Sequence, residues 1–214
     1  MPAPSAVTSR IDVDLPEWLV VPAPEDVTPE WRAQVETLFT VIAEVDRGEH
    51  DGEQPDPADE SADDEPTVFA AARHVDTAAT VEDLLAFAAA LEPGERLVAG
   101  LGVPNRWPLP VVVSVGVVEQ DTPDLLTLAG ATAGLPTDPP DVDELPEHLG
   151  GEGPLVTRHD VDDEGAIWAS VCAVRRQDGV DTRVLWRTRE LEVVPVFTPA
   201  VVALVGSVVN EAAA

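Results

Sequence analysis

The spacing of hydrophobic positions changes several times along this chain. Residues 11–21 begin with Ile11, Val13 and Leu15 alternating with Asp12 and Asp14, the period of a strand with one polar face. Pro22 and Pro24 end that run. Thr28-Pro29 then opens a helix, with threonine as N-cap and proline in the first turn, where a missing N–H costs nothing. Trp31, Val35, Leu38, Ile42 and Val45 recur at helical spacing as far as Gly48, a C-terminal stop. Residues 67–75 fit strand and helix equally. Thr80-Val81-Glu82-Asp83 resembles a capping box, and Leu84, Leu85, Ala88 and Leu91 form the stripe of a helix that ends at Pro93-Gly94.

Two valine- and leucine-rich runs, 96–103 and 111–119, flank the connector 104–108 and predict a hairpin with a longer loop. Thr122-Pro123 repeats the helix-opening pattern for a short helix over 125–133, closed by Gly134. Residues 135–154 read as a long loop rich in proline and acids. The strongest strand signal follows, because 166–177 and 180–194 flank Asp178-Gly179, a two-residue type I′ turn signature. That turn opposes Gln177 to Val180 and so sets both faces. One pairs Val171 with Trp186 and Ala173 with Val184. The other pairs Trp168 with Arg189, Ser170 with Arg187 and Val174 with Arg183. Thr198-Pro199 opens a closing helix through Val201, Val202, Val205, Val208 and Val209. Pro195 and Pro199 break the apolar tail into pieces too short to span a bilayer, so it reads as a core helix.

These elements predict one α+β domain over residues 1–214. An antiparallel sheet is packed by an N-terminal amphipathic helix and a C-terminal helix. Residues 48–66 interrupt it with nine acids and no arginine, a composition that cannot offset its own ordering entropy and predicts a disordered insertion.

Composition narrows the function classes. There are 41 acidic side chains against 12 basic ones, a net charge of −29, and every basic residue is arginine. A phosphate backbone or an anionic membrane surface needs a basic footprint, so neither nucleic acid nor membrane is an expected partner. Residues 1–10 carry no apolar signal core, and a cytoplasmic location is expected. Cys172 is the sole cysteine, which excludes an intramolecular disulfide and a multi-cysteine metal site. The absence of lysine with abundant Ala, Val, Pro and Arg suits a high-GC, actinobacterial genome.

Candidate chemistry is sparse. Asp160 to Gly165 imitates the start of a calcium loop, but Val171 stands where a bidentate Glu is required, so an acidic turn is the expectation. His159-Asp160 offers an acid–base dyad or plain surface. Ser114 lies in a strand pattern rather than a nucleophile elbow, and Gly100-Leu101-Gly102 lacks the third glycine of a dinucleotide site. Cys172 reads as a small buried hydrophobe, with a thiol pKa lowered by nearby arginines as the alternative. No catalytic residue, cofactor or metal is assigned.

The densest signal is Arg158, Arg175, Arg176, Arg183, Arg187 and Arg189, half of all positive charge within one 32-residue window. Trp168, Arg176, Arg183, Arg187 and Arg189 form a candidate docking face for a carboxylate-bearing protein, with Trp168 as anchor. The competing reading pairs these arginines with the chain's own acids, including the 48–66 insertion, which then screens the face.

The order of strand with Leu15-Pro16-Glu17-Trp18, amphipathic helix, valine-rich meander, Asp-Gly hairpin and closing helix resembles accessory proteins of actinobacteria. It is also similar in outline to the PsbP/Mog1-type α/β/α sandwich. That resemblance implies a non-catalytic binding or assembly factor and carries over no functional residue. The expected function is therefore a non-enzymatic accessory or assembly protein, an adaptor or chaperone with a possible secretion association, bound to a protein partner. An immunity or inhibitor protein against a basic target, a small hydrolase-like enzyme with a site near His159, and a self-assembling structural protein are the alternatives. The oligomeric state is left open.

Overall fold

The computed structural model describes residues 7–13, 17–51, 76–132, 134–135 and 137–212, apart from the side chains at 47–51 and 212. The first predicted strand is two strands in two sheets. Strand β1 (Val7–Ile11) pairs antiparallel with β9 (Val208–Ala212), while β2 (Trp18–Val21) pairs with β3 (Glu95–Gly100). Alternation is a local signal and does not report a change of partner. Arg96 ties the small sheet to the large one by donating to the Ser9 carbonyl and hydroxyl at 2.9 and 2.7 Å.

The large sheet has seven strands in the order β2-β3-β4-β8-β7-β6-β5, all antiparallel. The remaining strands are β4 (Leu109–Val117), β5 (Asp141–Glu144), β6 (Pro154–Val161), β7 (Ile167–Gln177) and β8 (Val180–Thr188). The β7–β8 register is the expected one, with Gln177 opposite Val180 and Val171 opposite Trp186. Asp178 and Gly179 have φ of +52° and +78°, the left-handed pair a type I′ turn demands. Residues 135–154 depart from the single-loop expectation: they hold β5, the acidic edge strand, and a 3₁₀ turn at Glu147–Leu149. An exposed Asp-Val-Asp-Glu edge is charged enough to repel stray strand pairing.

Helix α1 (Pro29–Asp51) begins at the Thr28 cap, whose hydroxyl accepts from the Trp31 N–H, and runs three residues past Gly48. Residues 52–66, the rest of the acidic insertion, lie outside the described residues, as do 67–75. Helix α2 (Thr77–Ala89) is capped by Asp76 rather than Thr80, with Asp76 Oδ1 accepting from Ala79 N at 3.1 Å. Thr80 sits one turn inside and bonds back to the Asp76 carbonyl at 2.8 Å. Helix α3 (Leu125–Ala129) is likewise capped by an aspartate, Asp124, and it stops at Gly130 rather than Gly134. Helix α4 (Val194–Ser207) starts four residues before the expected Thr198-Pro199, because Pro195 already supplies a proline for the first turn. No helix among the described residues is long and apolar enough to cross a membrane.

These helices cover the two sheet faces unequally. Helix α4 lies across the middle of one face, where Phe197, Val201, Leu204 and Val205 meet Val111, Val113, Val171, Val184 and Trp186. Phe197 stacks edge-on to Trp186 at 4.9 Å and tilted to Trp18 at 5.6 Å. Gly100 allows that approach, since a Cβ there would stand 2.4 Å from the Phe197 ring. Burying such a phenylalanine contributes roughly 2–3 kcal/mol.

Among the described residues the opposite face is covered only at its ends. Helices α1 and α2 pack over β2 and β3 through Val35, Phe39, Val81, Leu84 and Leu97. Helix α3 packs over β6 and β7 through Ala129, Val156, Cys172 and Val174. Between them Pro110, Val112, Arg183 and Leu185 stay half-buried and Arg187 is exposed, leaving a trough over β4 and β8.

Candidate functional site

Alternation along β6, β7 and β8 sends Arg158, Trp168, Arg176, Arg183, Arg187 and Arg189 to the trough side. Arg175 has the other parity and points away. It is 4% exposed and donates to the carbonyls of Val208, Leu149 and Gly206 at 2.6, 3.1 and 3.5 Å. Its charge therefore sits at the C-terminal end of α4, where the helix dipole favours a cation. Burial lowers its pKa from the ordinary arginine value.

The candidate face divides into spent and unspent arginines. Arg176 forms two 2.7 Å bonds with Asp181, its cross-strand neighbour, and that pairing raises its pKa. Arg189 donates to Asp162 at 2.7 Å, and the Trp168 indole N–H donates to the same carboxylate oxygen at 2.9 Å. The backbone N–H groups of Ala166 and Glu164 reach the other oxygen at 2.9 and 3.0 Å. Asp162 consequently has its pKa lowered to about 2, chiefly by the Trp168 and Ala166 hydrogen bonds, with Arg189 adding a smaller charge effect. The acidic turn expected at 160–165 is thus a carboxylate-organised hairpin turn between β6 and β7. The guanidinium groups of Arg189 and Arg187 lie over the Trp168 ring, 4.6 and 5.3 Å from its centre.

Arg158 is also spent in part: its Nε donates to Asp160 at 3.0 Å and its Nη1 to the Gly130 carbonyl at 3.1 Å. Arg183 and Arg187 are different. Neither has a carboxylate partner among the described residues. Self-pairing therefore accounts for Arg158, Arg176 and Arg189, each with an acid from β6, β8 or the β6–β7 turn, and leaves two cations over the trough.

A hollow of 150 Å³ opens beside these two, between the C-terminal end of α3 and the sheet, and a second of 240 Å³ continues it past Leu128 towards Ser114. Arg183 borders both. Ser170 lines the first, is 3% exposed, and has no hydrogen-bond partner at Oγ. Cys172 lies next to it, and burial pushes its thiol pKa up despite the Arg183 guanidinium, which corrects the alternative of an activated thiol.

His159 and Asp160 are strand neighbours and face opposite sides of β6, so they form no dyad. His159 Nδ1 instead meets Asp138 Oδ2 at 2.8 Å. No trio of His, Cys, Asp or Glu among the described residues is arranged to hold a metal ion.

Sequence reasoning placed Trp168, Arg183, Arg187 and Arg189 on one face but missed Ser170 and Arg158 as parts of one pocket. The usable signal was the alternation of Val156, Arg158 and Asp160 against Leu155, Thr157 and His159. It is weak because Arg, His and Asp are poor strand formers. No protein-family model matches this chain, and neither the curated proteins nor the solved structures contain a match to it.

Proposed function

We propose that this chain is a non-catalytic accessory protein that docks an acidic segment of another protein in the trough between α3 and the α1–α2 pair. Arg183 and Arg187 supply the charge and Trp168 a rigid wall. The observation that supports this reading is the charge inventory of the face. Among the described residues six arginines pair with a carboxylate and Arg96 and Arg175 are engaged by Ser9 and by backbone carbonyls, whereas Arg183 and Arg187 meet no carboxylate and stand on the trough side of β8 with Leu185 between them. A cation kept free of local acids is available to an incoming carboxylate, and guanidinium is the side chain best suited to hold one by a two-pronged hydrogen bond.

The test compares stoichiometric co-purification by the wild type and by the Arg183→Ala/Arg187→Ala double variant, with matched circular dichroism. Loss of a recovered partner on substitution, and failure of that partner to rebind once its acidic segment is deleted, support the reading. A partner held equally by both chains refutes it.

A second reading, neutralisation of a basic target, is favoured by the exposed acids of β5, Asp141, Asp143 and Glu144. Salt separates the two. A net charge of −29 repels an acidic segment at long range, so its association accelerates as the Debye length shortens from about 30 Å at 10 mM salt to about 8 Å at 0.15 M. A basic target associates more slowly over the same range.

A further inference from the structure

Five of the eight residues that line the 150 Å³ hollow carry side-chain hydrogen-bond donors, the others being Ala129, Gly130 and Leu185. Arg158, Arg183 and Arg187 bring guanidinium groups, Ser170 a hydroxyl and Cys172 a thiol. The Ser170 Oγ is buried without a partner, and so is the Nε of Arg183. Buried polar groups are paired almost without exception, and Arg183 meets only the Cys172 thiol, so the unpaired atoms of two residues that line one hollow point to an acceptor there. The Gly130 carbonyl and the Asp160 carboxylate are both already engaged by Arg158.

We infer that this hollow binds a tetrahedral oxyanion of the phosphate or sulfate type, as a free ion or as a phosphoryl group carried by a partner. The inference rests on the docking reading in sharing Arg183 and Arg187, and it names the group they meet.

Shape favours a tetrahedral group over a carboxylate. A carboxylate has two coplanar oxygens and satisfies one guanidinium fork. A phosphate-type group directs oxygens to several sides and can meet three guanidiniums and a hydroxyl together. Arg158 is set for this before any ligand arrives, because Asp160 and the Gly130 carbonyl fix its orientation. Gly130 makes room for it: a Cβ there would stand 2.6 Å from Arg158 Nη1. The overall negative charge does not prevent binding. Charges separated by more than a Debye length, about 8 Å at physiological salt, are largely screened, whereas the guanidiniums act at contact.

The experiment is calorimetric titration of the full chain with inorganic phosphate, sulfate and acetate at matched ionic strength. A second arm uses two acidic peptides that differ by one phosphoserine. Saturable one-to-one binding of phosphate and sulfate is expected, with acetate at least about tenfold weaker. Ser170→Ala and Arg187→Gln, each checked for an unchanged amide NMR spectrum, should each weaken phosphate about tenfold. Arg187 is exposed, so that variant reports on the site without disturbing the core. A phosphopeptide bound more tightly than free phosphate identifies a partner-borne group, and the reverse order a free ion; both support the site. Absence of saturable phosphate binding at about 1 mM overturns the inference, as does equal binding by the wild type and both variants. If phosphate fails while partner capture still depends on Arg183 and Arg187, docking stands and the oxyanion site falls. If phosphate binds and capture is indifferent to those residues, the site stands and docking falls.

Discussion

Asp46 offers the sharpest test of how the trough's far wall is held. It lies in α1, is 8% exposed, and its Oδ2 accepts from the Asn105 backbone N–H at 2.9 Å and from the Trp107 indole N–H at 2.7 Å. Both donors belong to the β3–β4 connector, and Trp107 packs against Phe39 with ring centres 5.3 Å apart. Asp46→Ala leaves both donors buried without an acceptor. Each costs roughly 1.5–2.5 kcal/mol, so the gross loss is about 3–5 kcal/mol. Alanine returns roughly 0.6 kcal/mol through its better helix propensity. The net destabilisation is therefore about 2.5–4.5 kcal/mol, a large share of a typical domain's stability. It corresponds to a fall in Tm of roughly 10 °C. Asp46→Asn keeps a carbonyl oxygen with two lone pairs in the same place and should lose only about 1 kcal/mol, the charge assistance. Urea unfolding followed by circular dichroism measures both. A difference of under about 0.5 kcal/mol between the two variants would refute the reasoning, because it would mean that the connector does not depend on an acceptor at residue 46.

Other outcomes follow from the site. Asp162 has a folded-state pKa of about 2, below its ordinary value of 3.8, so its contribution is complete above pH 4 and is lost as pH falls towards 2. Thermal melts of the wild type and Asp162→Asn should therefore converge across that window, and a gap that stays constant would count against the turn network. Gly130→Ala places a side chain at φ +81° against Arg158 and should cost about 1–2 kcal/mol in urea unfolding, while also weakening phosphate binding. Arg176→Gln and Arg189→Gln remove arginines already bound to Asp181 and Asp162, so partner capture should fall much less than with Arg183 or Arg187 replaced. Equal losses across all four positions would show the face acting as undifferentiated charge.

Elements whose signals are local were legible in the chain itself. The Thr28-Pro29 opening and the 96–119 hairpin appear where side-chain period and turn chemistry place them, while α2 stops at Ala89, four residues before the expected Pro93-Gly94. Helix boundaries went astray where two caps competed. Asp76 prevails over Thr80 and Asp124 over Thr122, because in each pair the aspartate carboxylate sits where it can accept from the third N–H of the helix. Strands β5 and β6 were not visible, since acids, histidine and arginine give no hydrophobic alternation and only neighbouring strands recruit them into the ladder; β9 takes Val208 and Val209 out of the expected closing helix because pairing with β1 extends them.

The sequence by itself determined the Asp178-Gly179 register, and with it the side of the sheet on which Trp168, Arg183, Arg187 and Arg189 stand. A two-residue turn leaves no freedom in pairing, and the strand period of two assigns every later side chain to a face. It also determined that the apolar run around Val201, Val202 and Val205 is a helix packed inside the fold, whereas Val208 and Val209, expected in the same helix, belong to β9. Only the tertiary structure decided which arginines have a carboxylate partner among the described residues. That depends on β6 lying beside β7, on the acidic turn folding Asp162 back to Arg189, and on α3 seating Gly130 over Arg158. Those contacts join residues far apart in the chain or on separate strands, and an ion pair forms only between groups that the completed sheet brings within a few ångströms.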